Sequence, residues 1–112
     1  MIAPACSTHF DYEAELTVVI GKRCRHVREE DAQGVIFGFT AFNDGSIRDY
    51  QRRTSQWTAG KNFDGTGALG PAIVTADEVP FNARGLGIRT RLNGEVMQDS
   101  NTDLMIFDVH RT

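Results

Sequence analysis

Apolar residues recur at every second position along Asp11-Tyr12-Glu13-Ala14-Glu15-Leu16-Thr17-Val18-Val19-Ile20. That is the period of a β-strand, with Tyr12, Ala14, Leu16, Val18 and Ile20 on one face and Glu13 and Glu15 side by side on the other. The strand ends at Gly21-Lys22. Arg28 to Gln33 has the composition and acidic first turn of a short surface helix, with Gly34 as its C-cap. Val35 to Phe42 is the most apolar stretch of the chain and predicts a buried central strand. Asn43-Asp44-Gly45-Ser46 then carries turn chemistry, since Asp-Gly supplies the positive φ of a tight hairpin. Ile47 to Arg53 suits a surface turn or short helix, over which Trp57 is expected to pack. Gly60 to Pro71 predicts a shaped loop whose backbone approaches something closely. Ala72 to Thr75 is a short strand, and Asp77 to Arg84 a loop containing Pro80. Asn93-Gly94 between Leu86–Leu92 and Glu95–Gln98 is the strongest hairpin signal, with Ile88, Thr90 and Leu92 on one face and Arg89 and Arg91 on the other. Asp99 to Thr102 turns into a last apolar segment, Asp103 to Phe107. The pattern is mainly β (α+β) with one short helix.

Composition narrows the function classes. A chain of 112 residues makes one domain that buries roughly 65% of its unfolded surface. The formal charge is -3, and Lys and Arg are scattered instead of forming a basic stripe, so no nucleic acid is implied. The longest apolar run, Leu16 to Ile20, is far too short to span a bilayer, so no membrane partner is implied. The first residues lack the charged and apolar regions of a signal peptide, which points to a cytoplasmic protein. Cys6 and Cys24 do not make a zinc motif and are expected as unpaired thiols. His9, His26 and His110 show no ligand spacing and are read as ordinary imidazoles.

The acidic pair carries the chemistry. At about 7 Å and an effective dielectric of ~20, Glu13 and Glu15 repel by about 2 kcal/mol, and by well under ~1 kcal/mol in open water. A cation between them turns that repulsion into binding, and oxygen-only ligands select hard ions; the alternative is a solvated strand face. Asp44, at the exit of the central strand, is either part of a turn or a third ligand fixed by the scaffold. Arg48 and Arg53 suit carboxylate recognition by the guanidinium fork, or else satisfy structural partners. The glycine-rich loop is not a phosphate loop, because it lacks the Gly-Lys-Ser/Thr ending and a following helix. Lys61 is its one residue of chemical interest.

In order, four blocks resemble the fumarylacetoacetate hydrolase family, specifically its fumarylpyruvate and acylpyruvate hydrolase branch. They are Asp11-Tyr12-Glu13-Ala14-Glu15-Leu16, Phe42-Asn43-Asp44-Gly45-Ser46-Ile47-Arg48-Asp49-Tyr50-Gln51, Gly60 to Pro71, and Asn93 to Thr102. The resemblance runs from Asp11 to the end of the chain. It implies part of the mixed β-sandwich or roll of the family's C-terminal domain. It also implies that Glu13, Glu15 and Asp44 hold a divalent cation, Mg²⁺ or Mn²⁺ with Ca²⁺ admitted, and that Arg48, Gln51 and Lys61 line the pocket of a small oxo-acid. In that chemistry a Lewis acid stabilises the enolate released on carbon–carbon cleavage. Lys61 acts as the catalytic electrostatic aid, and Arg48 or Gln51 orients the substrate.

Two departures qualify the expectation. The family's His/Glu pair that activates water has no counterpart before Asp11, since His9 lacks the acidic partner. The Leu-Glu-Pro-Gly-Asp and Gly-Thr-Pro-x-Gly-Val-Gly stretches are not found after Phe107 either. Residues 1–112 are therefore expected to form a partial domain whose sheet is closed by a second copy or another chain, with a homo-oligomer expected. Two functions are open: a metal-dependent hydrolase of acylpyruvate-type acids, or a catalytically incomplete remnant that binds metal or self-associates.

Overall fold

The alternating segment that begins at Asp11 folds as two strands. In the computed structural model, which describes residues 1–112, the strands are β1 (Phe10–Asp11), β2 (Ala14–Ile20), β3 (Ile36–Asp44), β4 (Ser46–Ile47), β5 (Gly67–Thr75), β6 (Gly87–Leu92) and β7 (Glu95–Asn101). The single α-helix, α1, spans Arg48–Gln51. The fold is thus mainly β with one short helix, as the hydrophobic pattern predicts.

All strand pairs are antiparallel. The aromatic and β-branched run forms β3, the middle strand of the β2-β3-β5 sheet, while β1 pairs with β4 and β6 with β7. The three apolar side chains most removed from solvent are Phe39, Ile47 and Ala83. Ile47 and Ser46 are fully enclosed where β4 meets β1. That packing fixes the start of α1 directly behind the acidic residues.

Several local expectations yield to longer-range pairing. Asp44 is not in a hairpin turn: it is the last residue of β3, opposite Gly67. Its amide also donates to the Glu13 carbonyl at 3.0 Å, and Gly45 does not take a positive φ. Pairing on both sides outweighs the local turn preference of Asp-Gly. The end of the expected glycine loop is strand, because Gly67 to Pro71 belong to β5, an edge strand where proline costs no ladder bond. The acidic surface helix is a 3-10 helix over Glu29–Val35, and Gly34 lies inside it instead of capping it. Trp57 does not pack over α1; it is 69% exposed. The apolar segment after Asp103 stays outside the core, with Ile106 93% exposed.

The Asn-Gly hairpin forms as expected, with Asn93 at φ 52 and Gly94 at φ 91 joining β6 to β7. One irregularity interrupts it. Leu92 pairs with Glu95 and Arg91 with Val96, but Thr90 pairs with Gln98, so Met97 is an extra residue in β7.

Candidate functional site

The register of β2 against β3 assembles the acidic centre. Ala14 lies opposite Asn43 and Glu15 opposite Phe42, so Glu13 comes opposite Asp44. Residues opposite one another, and residues two apart, share a face of an antiparallel pair. Glu13, Glu15 and Asp44 therefore project together, with ligand-type oxygens all within 4.8 Å of one another. Glu13 itself precedes β2. Its amide donates to Asn43 Oδ1 at 3.0 Å, and the Ala14 amide donates to Gln98 Oε1 at 3.0 Å.

Two cations stand among these acids. Lys61 Nζ lies 2.6 Å from Glu13 Oε2 and 2.6 Å from Asp44 Oδ2. Arg48 donates from Nε to Asp11 Oδ2 at 2.8 Å and from Nη1 to Glu13 Oε1 at 2.5 Å. The same Nη1 lies 3.0 Å from Gln51 Oε1. Lys61 reaches the cluster because Gly60 packs directly against Gln51 and the Ile47 carbonyl, leaving no room for a Cβ. This is the close backbone approach that the glycine-rich segment implies. The edge-to-face pair Tyr50–Phe63, 4.9 Å between centroids, ties α1 to the same loop.

The electrostatics divide the acids. Burial works against ionisation of Glu13, but hydrogen bonds from Lys61 and Arg48 prevail and hold its carboxyl below the usual value. Glu15 is raised, first by burial and then by the charges of Asp44 and Glu13, which Lys61 only partly offsets. Lys61 is held above its ordinary value despite burial, by its bonds to Asp44 and Glu13. Four carboxylates, from Asp11, Glu13, Glu15 and Asp44, meet two cations. A formal excess of two negative charges remains, and Glu15 has no ion-pair partner of its own. An all-oxygen donor set with that excess fits a hard divalent cation.

Six of the candidate residues are thus brought to one place: Glu13, Glu15, Asp44, Arg48, Gln51 and Lys61. Arg53 is elsewhere, stacked 3.5 Å from the centre of the Tyr50 ring. A hollow of about 510 Å³ is lined by Ser55, Gln56, Trp57, Thr58 and Lys61. Sequence reasoning passed over Asp11, Asn43 and Gln98. Asp11 was legible as an acid two residues from Glu13; Asn43 and Gln98 act through backbone bonds that no local pattern announces.

Comparison with known proteins gives this arrangement its class. The family model described as fumarylacetoacetate (FAA) hydrolase C-terminal matches residues 1–112. The chain belongs to the fumarylacetoacetate hydrolase family. It is 49% identical over 111 residues to a mitochondrial oxaloacetate tautomerase of Bos taurus, a match covering 96% of this chain and 34% of that protein. Among solved structures, a 5-carboxymethyl-2-hydroxymuconate delta-isomerase from Mycobacterium smegmatis superposes with TM-score 0.88 at 41% identity, over 96% of this chain and 42% of that one. The fumarylpyruvate hydrolase from Pseudomonas aeruginosa, in complex with Mn²⁺ and pyruvate, gives TM-score 0.86 at 29% identity over 97% and 48%. The chain spans less than half the length of the curated relatives it matches. No helix is long and apolar enough to cross a membrane.

Proposed function

We propose that this chain carries the divalent-metal centre of a fumarylpyruvate- or acylpyruvate-type hydrolase, acting on a carbon–carbon bond of a small oxo-acid. The observation that carries the reading is the convergence of Glu13, Glu15 and Asp44 within 4.8 Å, in a cluster with uncompensated negative charge. The Mn²⁺ and pyruvate of the similar Pseudomonas aeruginosa enzyme support it. Glu13, Glu15 and Asp44 would hold Mg²⁺ or Mn²⁺, with Ca²⁺ admitted by the same oxygen ligands. Bound there, the ion supplies Lewis-acid stabilisation of the negative charge that develops on dicarbonyl oxygens.

The chain's own residues supply positioning and charge. Arg48, by bridging Asp11 and Glu13, fixes the Glu13 carboxylate, and its Nη2 remains free to donate to a substrate carboxylate. Gln51 gives its oxygen to Arg48 and keeps its amide nitrogen as a donor toward the oxo-acid. Lys61 holds its proton tightly between Glu13 and Asp44, so it acts as a fixed positive charge near the developing anion and not as a base. The exposed free thiols of Cys6 and Cys24 suit a reducing compartment such as the cytoplasm. The chain is further proposed to work as a homo-oligomer.

A second reading, a metal-binding remnant without catalysis, is favoured by one observation: no histidine bonds to the cluster, so the site holds no evident base for water. Turnover decides between them. Acylpyruvates and oxaloacetate are assayed with Mg²⁺ or Mn²⁺ against Glu13→Ala, and a rate no higher than the variant's removes the enzyme. Calorimetry with Mn²⁺ tests what both readings share. Asp44→Asn is expected to weaken binding at least about tenfold, since one charged ligand of three is lost; equal affinity removes the metal centre.

A further inference from the structure

Gln98 lies 84 positions from Ala14 in sequence, yet its Oε1 accepts the Ala14 amide at 3.0 Å. That amide belongs to the residue between Glu13 and Glu15. The same Oε1 accepts the Thr90 hydroxyl at 2.8 Å, which fixes the side chain's direction. The extra residue in β7 makes this contact. Continued from Leu92–Glu95 and Arg91–Val96, an unbroken ladder would set Gln98 opposite Arg89, on the outward face of the hairpin. With Met97 inserted, Gln98 stands opposite Thr90 and Asp99 opposite Arg89. The outward pair then forms an ion pair, Arg89 Nη2 to Asp99 Oδ2 at 2.7 Å, which marks the shifted register. Bulges beside functional sites commonly re-aim a side chain in this way.

The bond satisfies an amide on the open edge of the β2-β3-β5 sheet. Glu13, just before β2, gives its amide to Asn43 Oδ1 and its carbonyl to the Asp44 amide, while the amide of Ala14, the first residue of the edge strand β2, points away from β3 and is taken by Gln98 Oε1. Side chains from two different sheets thus hold the backbone from which the acids project. Without Gln98, the start of β2, which sets Glu13 relative to Glu15, is held from the β3 side only.

We propose that Gln98 is a positioning residue of the acidic centre, clamping the Glu13–Glu15 backbone so that its carboxylates converge. This rests on the metal-centre reading for its functional meaning, but its geometry is testable without metal. Both bonds end on one acceptor oxygen, so Gln98→Glu retains them and Gln98→Ala removes them. In the full chain, Gln98→Ala is expected to speed hydrogen exchange of the Ala14 amide at least about tenfold and to shift the carboxyl ¹³C resonances of Glu13 and Glu15. Gln98→Glu, which keeps the acceptor but adds a charge, is expected to restore the slow exchange. With Mn²⁺, Gln98→Ala is expected to weaken affinity by about 10–100-fold, as for other groups that orient ligands. Unchanged exchange and carboxyl resonances in a folded Gln98→Ala overturn the proposal, as does wild-type Mn²⁺ affinity in that variant. If the wild type itself binds no Mn²⁺, the metal reading fails, and the metal-free resonances alone decide the role of Gln98. If Gln98→Ala does not fold, Thr90→Val, which frees only the orienting bond, is expected to give the same shifts at smaller amplitude; their absence overturns the proposal.

Discussion

Asp49 shows how one hydroxyl sets a residue's titration in this chain. Its carboxyl is held below the ordinary 3.8, first by the Ser7 hydroxyl, which donates to Oδ1 at 2.6 Å. An acid whose folded pKa is depressed adds stability above its unfolded pKa and loses it as pH falls through the folded one. Ser7→Ala is therefore expected to move the Asp49 midpoint up toward 3.8 in a carboxyl NMR titration. Its thermal destabilisation relative to wild type is expected to be present at neutral pH and to vanish once Asp49 is protonated. A second residue prediction concerns Thr102, whose enclosed hydroxyl accepts from the Leu86 amide at 2.9 Å and donates to the Ala83 carbonyl at 2.6 Å. Thr102→Val strands both groups and should cost about 1–3 kcal/mol in urea unfolding, whereas Thr102→Ser keeps both bonds. Residue chemistry was legible where charge marked it. Glu13, Glu15, Asp44 and Lys61 stand out in the sequence by type, and the structure gathers them. Asn43 and Gln98 do not, because a neutral amide serving a distant backbone leaves no local trace.

At the scale of elements, periodicity revealed what local forces decide and missed what pairing decides. Asn93-Gly94 dictates its turn through two positive φ values, so the hairpin could be read directly. The bulge at Met97 could not, since alternation alone predicts the unbroken register. Asp44 shows the same limit: its turn chemistry is overruled by Gly67 on one side and Glu13 on the other. The junction of α1 with the Trp57–Gly60 turn is where an element-scale test is sharpest. A Cβ on Gly60 would meet Gln51 Cβ at 2.6 Å and the Ile47 carbonyl at 2.8 Å. Neither can retreat, because Ile47 is fully buried and Gln51 sits in the helix. Gly60→Ala is therefore expected to destabilise by about 1–3 kcal/mol and to displace Lys61 from Glu13 and Asp44. Gly34→Ala, with nothing within 4 Å of its Cβ, should stay within about 0.5 kcal/mol of wild type. Parallel urea unfolding of the two variants checks the contrast.

The whole molecule exposes more surface than its mass explains. A compact monomer of 12.4 kDa has an accessible area of about 6,100 Å², whereas this chain exposes 8041 Å². Its radius of gyration is 15.8 Å, against about 13 Å for a globular chain of this length. The surplus, on the order of 1,900 Å², exceeds the roughly 800 Å² that each partner buries in a standard interface. It is also apolar in places, with Leu69 65%, Ile73 47%, Val74 43% and Ile106 93% exposed. Leu69, Ile73 and Val74 lie on β5, an edge strand with one unpaired side, which another strand can extend. The proposed homo-oligomer would use this edge: a second copy offers the same strand and the same side chains, and a symmetric pair would cover both at once. Sedimentation is expected to show a dimer or larger assembly at micromolar concentration. Val74→Lys on that edge should shift the equilibrium toward monomer by about tenfold or more while leaving the far-ultraviolet spectrum unchanged. A folded wild-type monomer at every concentration would contradict the assignment, because the exposed edge would then be stable without a partner.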